Sequence, residues 1–449
     1  MARVMSDIST EFRHASPRPD PAKLRWMGNL VILFFAALLV EGILRKWVLS
    51  SYHRPIAFLR EPLLFLIYWS YLKAFIPDTR WIRPFLIYAF FITVLAFAQN
   101  MYWQYPLIVP LLAIRYFVLY IPLAFIMWQV LDEGQIRRIL VFLLWVSVPV
   151  AVLVMLQFLS PVASPINKGI TDDIDSRFVV IEGIIRPYGP FTFVLGQNYF
   201  AAMMTGLSLV ALDQRKRFRI GPITLFLGAM SAITMGALSG GRTYFAYLLL
   251  IVLAYIFAGL TARRARVALK RLVTVTLFAA VFVTMFVVVF PQAFASMTQR
   301  QINASANEGS PILRATSMIT DGFYALDEAP LLGTGIGSGT NAARAAVGVT
   351  RGFINGEMEW QRFIFEFGPP LGALMLALRT WLVIWLFHYA LRVNRQTGDG
   401  SALIFWGFVG PMLLTAQISM QNQMVSINWV SVGLMLALAK QSLTARGGR

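Results

Sequence analysis

Long apolar runs alternate with short polar segments along most of the chain. Most of the runs have the roughly 17–25 residues that a helix needs to cross the hydrocarbon core of a bilayer. We therefore expect an all-α integral membrane protein with about 12 transmembrane helices. They are predicted at roughly 29–49, 56–76, 84–100, 106–130, 136–160, 193–212, 221–239, 243–260, 272–291, 360–390, 401–420 and 428–443.

The same pattern divides the chain into membrane and loop regions. Residues 1–28 are polar and proline-rich, which predicts a tail, and 444–449 form a second short tail. The regions between them are predicted as helices 1–5 (29–160), a long loop (161–192), helices 6–9 (193–291), a larger loop (292–359) and helices 10–12 (360–443).

Composition agrees with a membrane protein, because 58% of residues are hydrophobic, 13% are charged and the mean hydropathy is +0.66. The absence of cysteine excludes disulfides and thiolate sites, and the three histidines are scattered. We therefore expect no metal site and no cofactor. The formal net charge of +18 follows the loops, which favours a membrane topology signal over nucleic-acid binding.

Basic residues concentrate in alternate loops, as the positive-inside rule requires of cytoplasmic segments. These loops contain, among others, Lys73, Arg80, Arg83, Arg137, Arg138, Arg215, Lys216, Arg217, Arg219, Arg263, Arg264, Arg266, Lys270, Arg271, Arg392 and Arg395. We therefore predict that both termini are cytoplasmic and both long loops periplasmic, in a bacterial inner membrane.

Two arginines in segments predicted to be periplasmic lie next to proline and glycine residues that interrupt the helices. Arg186 lies in R-P-Y-G-P-F, ahead of a helix that opens with Gln197 and Asn198, and Arg242 ends S-G-G-R between two helices. An arginine beside proline and glycine can hold an anion. The alternatives are a snorkelling interfacial side chain at Arg186 and a glycine-capped hairpin turn at Arg242.

Arg314 opens an amphipathic segment with helical spacing, which ends at Pro330. The following G-T-G-I-G-S-G (333–339) has no βαβ context, so we expect a turned loop whose amides could help to hold phosphate. Glu357 and Glu359 then begin the next membrane segment and are candidate general bases. We expect Glu366 to lie deeper and to pair with an arginine. A solvated helix start is the alternative for Glu357 and Glu359.

Other intramembrane charges are interpreted as structural pairs. Glu41 and Arg45 are spaced four apart, and Arg60 adjoins Glu61. Arg115 has no partner nearby in sequence and is predicted to face a cavity.

The motifs occur in a recognisable order: R-P-Y-G-P-F, G-Q-N, S-G-G-R, D-E-A-P-L-L-G-T-G-I-G-S-G and E-W-Q-R-F-I-F-E-F-G-P-P-L-G. This order, over residues 180–375, resembles the O-antigen polymerase and ligase family of membrane glycosyltransferases. The resemblance implies a polyprenyl-diphosphate-linked oligosaccharide as donor, transferred at the periplasmic face without a metal. By position, Arg186, Arg242 and Arg314 would bind diphosphate, and Glu366, Gly368 and Gly372 match the family's helix start.

One departure favours the polymerase branch. The ligase branch usually has histidine and asparagine about nine residues before that glutamate, where this chain has Glu357 and Met358. The first hypothesis is therefore an O-antigen or exopolysaccharide polymerase, working with membrane lipids, a chain-length regulator and a flippase. The alternatives are a ligase onto lipid A core or protein, a transporter or flippase of lipid-linked saccharide, and a noncatalytic assembly component. A transporter would need its binding groups near the midplane.

Overall fold

The computed structural model describes residues 20–75, 78–170, 179–181, 184–262, 269–274, 311–340, 342–343 and 358–447, with scattered positions between 276 and 299. Within these ranges the chain is mostly helical, and β1 (Val179–Ile181) and β2 (Ile184–Ile185) form the one antiparallel ladder. The helices are α1 (Pro21–Ile43), α2 (His53–Ile56), α3 (Glu61–Ala74), α4 (Thr79–Trp103), α5 (Ile108–Ile114), α6 (Ile121–Val130), α7 (Glu133–Leu159), α8 (Val194–Asp213), α9 (Pro222–Leu238), α10 (Arg242–Thr261), α11 (Pro311–Glu328), α12 (Glu359–Phe367), α13 (Pro369–Thr397), α14 (Ser401–Thr415) and α15 (Asn422–Gly447).

Seven helical segments of the described chain are long and apolar enough to cross a bilayer. They comprise α1 with its π-helical extension to Val48, α4, the continuous span Ile108–Val130, α7, α10, α13 and α15. The class predicted from hydropathy is thus confirmed as a helical membrane protein. The predicted total of 12 stays a prediction, since most of 272–291 lies outside the described residues.

Side-chain caps explain several helix starts. Asp20 accepts a hydrogen bond from the backbone N–H of Ala22 and precedes Pro21, and Asp132 forms a capping box with Gln135 at the start of α7. The amphipathic segment predicted from Arg314 is confirmed as α11, which ends two residues before Pro330.

The interior is built around α8, α14 and α15, most of whose side chains are buried. By contrast, α4 lies at the periphery, and only 11% of its most apolar window is buried. This difference leaves one flank of α4 open to the surrounding lipid.

Two predicted spans are wrong at their boundaries. The span predicted at 360–390 is two helices, because Gly368 adopts φ 81° and two prolines follow it. Gly372 packs on the backbone of Phe363 and Ile364, so α12 folds back along α13 as a hairpin. The span predicted at 401–420 ends at Thr415.

The bundle has two chemically different ends. At the end we call the basic end, Arg217 pairs with Glu133 at 2.9 Å and with Asp399 at 2.5 Å, and Ser442 on α15 joins them. The start of α15 at Asn422 is 20 residues from Ser442, about 30 Å along the axis. We call that opposite region the site end.

Candidate functional site

Short helices make the site end a recess. α3 has 14 residues and α14 has 15, which give about 21–23 Å against a hydrocarbon core of about 30 Å. Both reach the basic end, where Tyr71 donates to Gln129 and Asp399 accepts from the backbone of Ser401. Helices of this length that start at the basic end are expected to stop short of the opposite face of a bilayer. Backbone N–H and C=O groups that lie outside a helix at such a depth need hydrogen bonds from other parts of the protein or from a water-filled cavity.

The floor of this recess is the sequence A-Q-I-S-M-Q-N-Q at 416–423, which we call the polar segment. Ser419 donates to Glu359 Oε1 from its backbone nitrogen at 3.1 Å and from its hydroxyl at 3.0 Å. Gln423 accepts from the backbone nitrogen of Thr192 at 3.0 Å, and the Asn422 carbonyl accepts from Arg60 at 2.9 Å. The polar segment therefore joins three parts of the molecule.

Glu359 is buried between two arginines. Its Oε1 accepts from Arg379 Nη1 at 3.0 Å as well as from Ser419. Its Oε2 lies 3.9 Å from Arg362 Nη1 and is buried with no hydrogen-bond partner among the described residues. One carboxylate oxygen is thus fixed by three donors, while the other has an ion-pair neighbour but no hydrogen-bond partner among the described residues.

Glu366 is bonded at both carboxylate oxygens. Arg362 Nη2 donates to Oε1 at 2.7 Å, and the amides of Gly337 and Gly339 donate to Oε2 and Oε1 at 2.9 and 3.1 Å. The predicted pairing with an arginine is confirmed. The expectation that amides of the glycine-rich loop could hold phosphate is wrong for these two, because they already hold the protein's own carboxylate.

The predicted order of depth is also wrong. Glu359 bonds Arg379, which lies eleven residues beyond the hairpin turn at Gly368, whereas Glu366 lies two residues before that turn. Glu359 is therefore the carboxylate nearer the middle of the bundle. A single continuous helix over 360–390 would have placed Glu366 deeper than Glu359, whereas the turn at Gly368 reverses that order.

The loop of Arg186 is held by buried polar side chains. Lys46 donates to the carbonyls of Gly189 and Phe191, and its ammonium lies 4.6 Å from the ring centroid of Tyr188. Gln157 accepts from the Gly189 nitrogen at 2.8 Å. These contacts fix the backbone on both sides of the turn that follows Arg186, which is itself half-buried.

The turn of Arg242 lies against the start of α8. Gly241 contacts Asn198 so closely that a Cβ at this position would overlap the Asn198 side chain, and a Cβ at Gly189 would overlap Gln197. The neighbouring amides Gln197 and Asn198 thus link the loop of Arg186 to the turn of Arg242. The two arginine motifs predicted from sequence belong to one region of the site end.

Two of the predicted site residues cannot be placed as side chains. Glu357 lies outside the described residues, and for Arg314 only the helical backbone is described. Its helix α11 packs on α12, where the Phe323 and Trp360 ring centroids are 6.4 Å apart and Trp360 donates to the Leu414 carbonyl. Arg314 therefore belongs to an element that touches the one carrying Glu359.

The remaining intramembrane charges form a second buried cluster. Arg45 bonds Glu41 at 3.1 Å, which confirms the predicted pair, and Arg60 bonds Glu41 at 2.7 Å. Arg115 bonds Glu61 at 2.6 Å. The expectation that Arg115 has no partner nearby in sequence agrees with the structure, since Glu61 is 54 positions away, but Arg115 is buried in this ion pair instead of lining a cavity as predicted.

Sequence reasoning missed several residues of the site. Lys46, Arg362 and Arg379 are charged residues inside apolar runs, which is itself a signal of a buried role.

Amide side chains of the site were missed as well. Gln99 holds the glycine-rich loop, accepting from Ile336 N at 2.9 Å and donating to the Glu366 carbonyl at 3.0 Å. The amide-rich Q-N-Q at 421–423 was a further signal, hidden because a hydropathy window averages it with apolar neighbours.

The helices and this buried polar floor define a helical membrane protein with a recessed site at one end. No protein-family model, no curated protein and no solved structure matches the chain. The geometry of the site and the motifs of the sequence are therefore the basis for any assignment of function.

Proposed function

We propose that the protein is an O-antigen or exopolysaccharide polymerase, a metal-independent, inverting glycosyltransferase of a bacterial inner membrane. The observation that supports the proposal is that the loop of Arg186, the turn of Arg242 and a buried carboxylate flanked by arginines lie at the same end of the bundle, connected through the start of α8 and the polar segment. Such a site suits a reaction that develops negative charge on a leaving group beside a proton acceptor.

The proposed topology has 12 spans, cytoplasmic termini and a periplasmic site end. It is supported by the basic loops, whose members Arg217 and Arg271 are paired with acidic residues at the basic end. The site end then faces the periplasm, where both long loops also lie. A donor delivered to the outer leaflet would meet the recess directly.

In the proposed reaction, a sugar hydroxyl of the acceptor attacks the anomeric carbon of the donor. The bond from that carbon to the diphosphate oxygen breaks, and polyprenyl diphosphate leaves with the bonding electrons. Arg186, Arg242 and Arg314 stabilise the charge on the departing diphosphate. Glu359 takes the hydroxyl proton at Oε2, its atom without a hydrogen-bond partner among the described residues.

The other residues position these groups. Arg379 and Ser419 fix Oε1 of Glu359, and Arg362 lies between the two carboxylates of α12. Glu366 holds the glycine-rich loop over the hairpin. Glu357 remains the alternative base, since it immediately precedes this arrangement in sequence.

The test is to give purified protein only polyprenyl-diphosphate-linked repeat units and to separate the products on a gel. We expect a ladder of longer glycans, which Arg242→Ala and Arg314→Ala abolish while the membrane content of protein stays normal. Arg395→Ala is the control, because Arg395 is exposed at the basic end and should leave the ladder unchanged.

Other results would redirect the assignment. Transfer only after addition of lipid A core or a protein acceptor would indicate the ligase branch. No turnover with either acceptor, together with movement of the donor across proteoliposome membranes, would indicate a transporter. Normal polymer length in both arginine variants would contradict the proposed diphosphate site.

A further inference from the structure

A long apolar groove lies between α4 and α13, with α6 beneath it. It has a volume of about 460 Å³ and is lined mainly by aromatic side chains, among them Trp81, Phe85, Phe125, Trp381 and Trp385. Stacking of Trp81 on Phe125, with centroids 5.3 Å apart, closes its floor. The volume is enough for a segment of a chain-like lipid.

The groove is open to the bilayer from the side. Leu378 and Trp381 on one wall are 46% and 54% exposed, and Pro84 on the other wall is exposed as well. Because α4 lies at the periphery, a hydrocarbon chain can enter between α4 and α13 without leaving the apolar phase.

One end of the groove reaches the candidate site. Arg379, Phe363 and Ile418 line the groove, and Arg379 is also the partner of Glu359. Ile418 adjoins Ser419 of the polar segment, which bonds the same carboxylate. A lipid in the groove would therefore present its polar end beside the arginines and carboxylates of the recess.

We propose that this groove binds part of the polyprenyl chain of the donor, an inference that rests on the proposed function. Pulling such a chain out of hydrocarbon would cost about 0.8 kcal/mol per buried CH₂. The sugar and diphosphate must therefore reach the recess while the chain stays in an apolar channel. The groove provides that channel and ends at Arg379 and at Ile418 of the polar segment, where guanidinium, hydroxyl and amide groups can donate hydrogen bonds to a diphosphate.

The first test is photo-crosslinking with undecaprenyl diphosphate that carries a mid-chain diazirine and no sugar, on protein in nanodiscs. We expect adducts on peptides 81–88 and 375–385, suppressed by excess unlabelled undecaprenyl diphosphate and unaffected by equal phosphatidylglycerol. Adducts spread evenly over lipid-facing positions such as Phe90, or suppressed equally by the phospholipid, would identify ordinary membrane lipid and overturn the proposal.

A pair of substitutions one turn apart provides the matched control. Leu378 lines the groove and Leu374 does not, although both are exposed leucines on α13. Leu378→Trp should fill the groove and reduce crosslinking several-fold, while Leu374→Trp should leave it at the wild-type level. Equal crosslinking in the two variants would contradict the assignment.

The sugar-free probe separates this inference from the proposed function, because crosslinking reports lipid binding and requires no glycan transfer. Adducts in the groove from a protein that forms no glycan ladder would support the lipid site and refute the polymerase. A ladder from a protein without groove adducts would leave the polymerase standing and overturn the lipid site.

Discussion

Buried charges in the recess are held in pairs and triplets. Glu359 lies between Arg362 and Arg379, and Arg362 also bonds Glu366. Removing one member of such a buried pair typically costs about 3–5 kcal/mol, because the remaining charge stays in a low dielectric. Each of these residues therefore supports the fold as well as any chemistry, and a test of catalysis must separate the two contributions.

Three glutamine substitutions make that separation. Glu359→Gln, Glu366→Gln and Glu61→Gln each remove a carboxylate from a buried arginine, so all three should lower the thermal unfolding temperature of the solubilised protein. At a temperature where all remain folded, only Glu359→Gln should abolish glycan transfer, because only it removes the proposed base.

Glu61→Gln is the control for a lost buried ion pair that removes no candidate base, since Glu61 bonds Arg115 in the second cluster. Glu366→Gln should retain reduced transfer, with a loosened glycine-rich loop. Transfer at the wild-type rate in Glu359→Gln would show that another group, with Glu357 the first to examine, accepts the proton.

The sequence predicted residue contacts only where partners are close along the chain. The Glu41–Arg45 pair follows from helical spacing, and an arginine partner for Glu366 is found four residues away at Arg362. Lys46 bonds carbonyls more than 140 positions away, and Ser419 bonds Glu359 across 60 positions. No local pattern carries such pairings, because the folding of the bundle creates them.

Helix positions could be predicted from hydropathy, but breaks inside an apolar run could not. The predicted 221–239 and 243–260 agree closely with α9 and α10, whose shared turn contains two glycines. The membrane span predicted at 360–390 did not reveal the turn at Gly368, because the apolar residues on both sides dominate the hydropathy average over the window. That turn is what places Glu359 beside Arg379 rather than near the surface.

The α12–α13 hairpin depends on Gly368. Its φ is 81°, and an added Cβ would overlap the backbone of Leu331 and Gly333. Gly368→Ala should therefore lose about 1–3 kcal/mol because φ 81° with ψ 159° is a conformation that essentially only glycine adopts, and about 1–3 kcal/mol more from overpacking. Thermal unfolding and glycan transfer should both fall, since the hairpin sets the Glu359–Arg379 contact.

Gly398→Ala is the control for a glycine with positive φ at the other end of the same helix. Gly398 has φ 75° and caps α13 at the basic end, so this substitution tests the left-handed backbone away from the hairpin. The unfolding temperature should fall less than in Gly368→Ala, and transfer should remain. Equal losses of transfer in the two variants would mean that the effect does not depend on the α12–α13 hairpin or on its close approach to the glycine-rich loop.

At the scale of the whole molecule, unequal helix lengths separate two kinds of surface. Long helices such as α13, with 29 residues, carry basic side chains to one end, while the short α3 and α14 leave a polar recess at the other. The recess opens sideways through the groove between α4 and α13. Under the proposed function, this arrangement would bring a lipid-linked substrate to the polar segment without exposing that segment to hydrocarbon.

Which end of the bundle faces the periplasm can be measured directly. The chain contains no cysteine, so a single introduced cysteine is its only thiol. Ala163 is exposed at the site end and Gln396 is exposed at the basic end. If the site end is periplasmic, a membrane-impermeant maleimide should label Ala163→Cys in cells with a permeabilised outer membrane. It should label Gln396→Cys only after the inner membrane is disrupted. The reverse pattern would place the arginines and Glu359 on the cytoplasmic side and would exclude a periplasmic transferase.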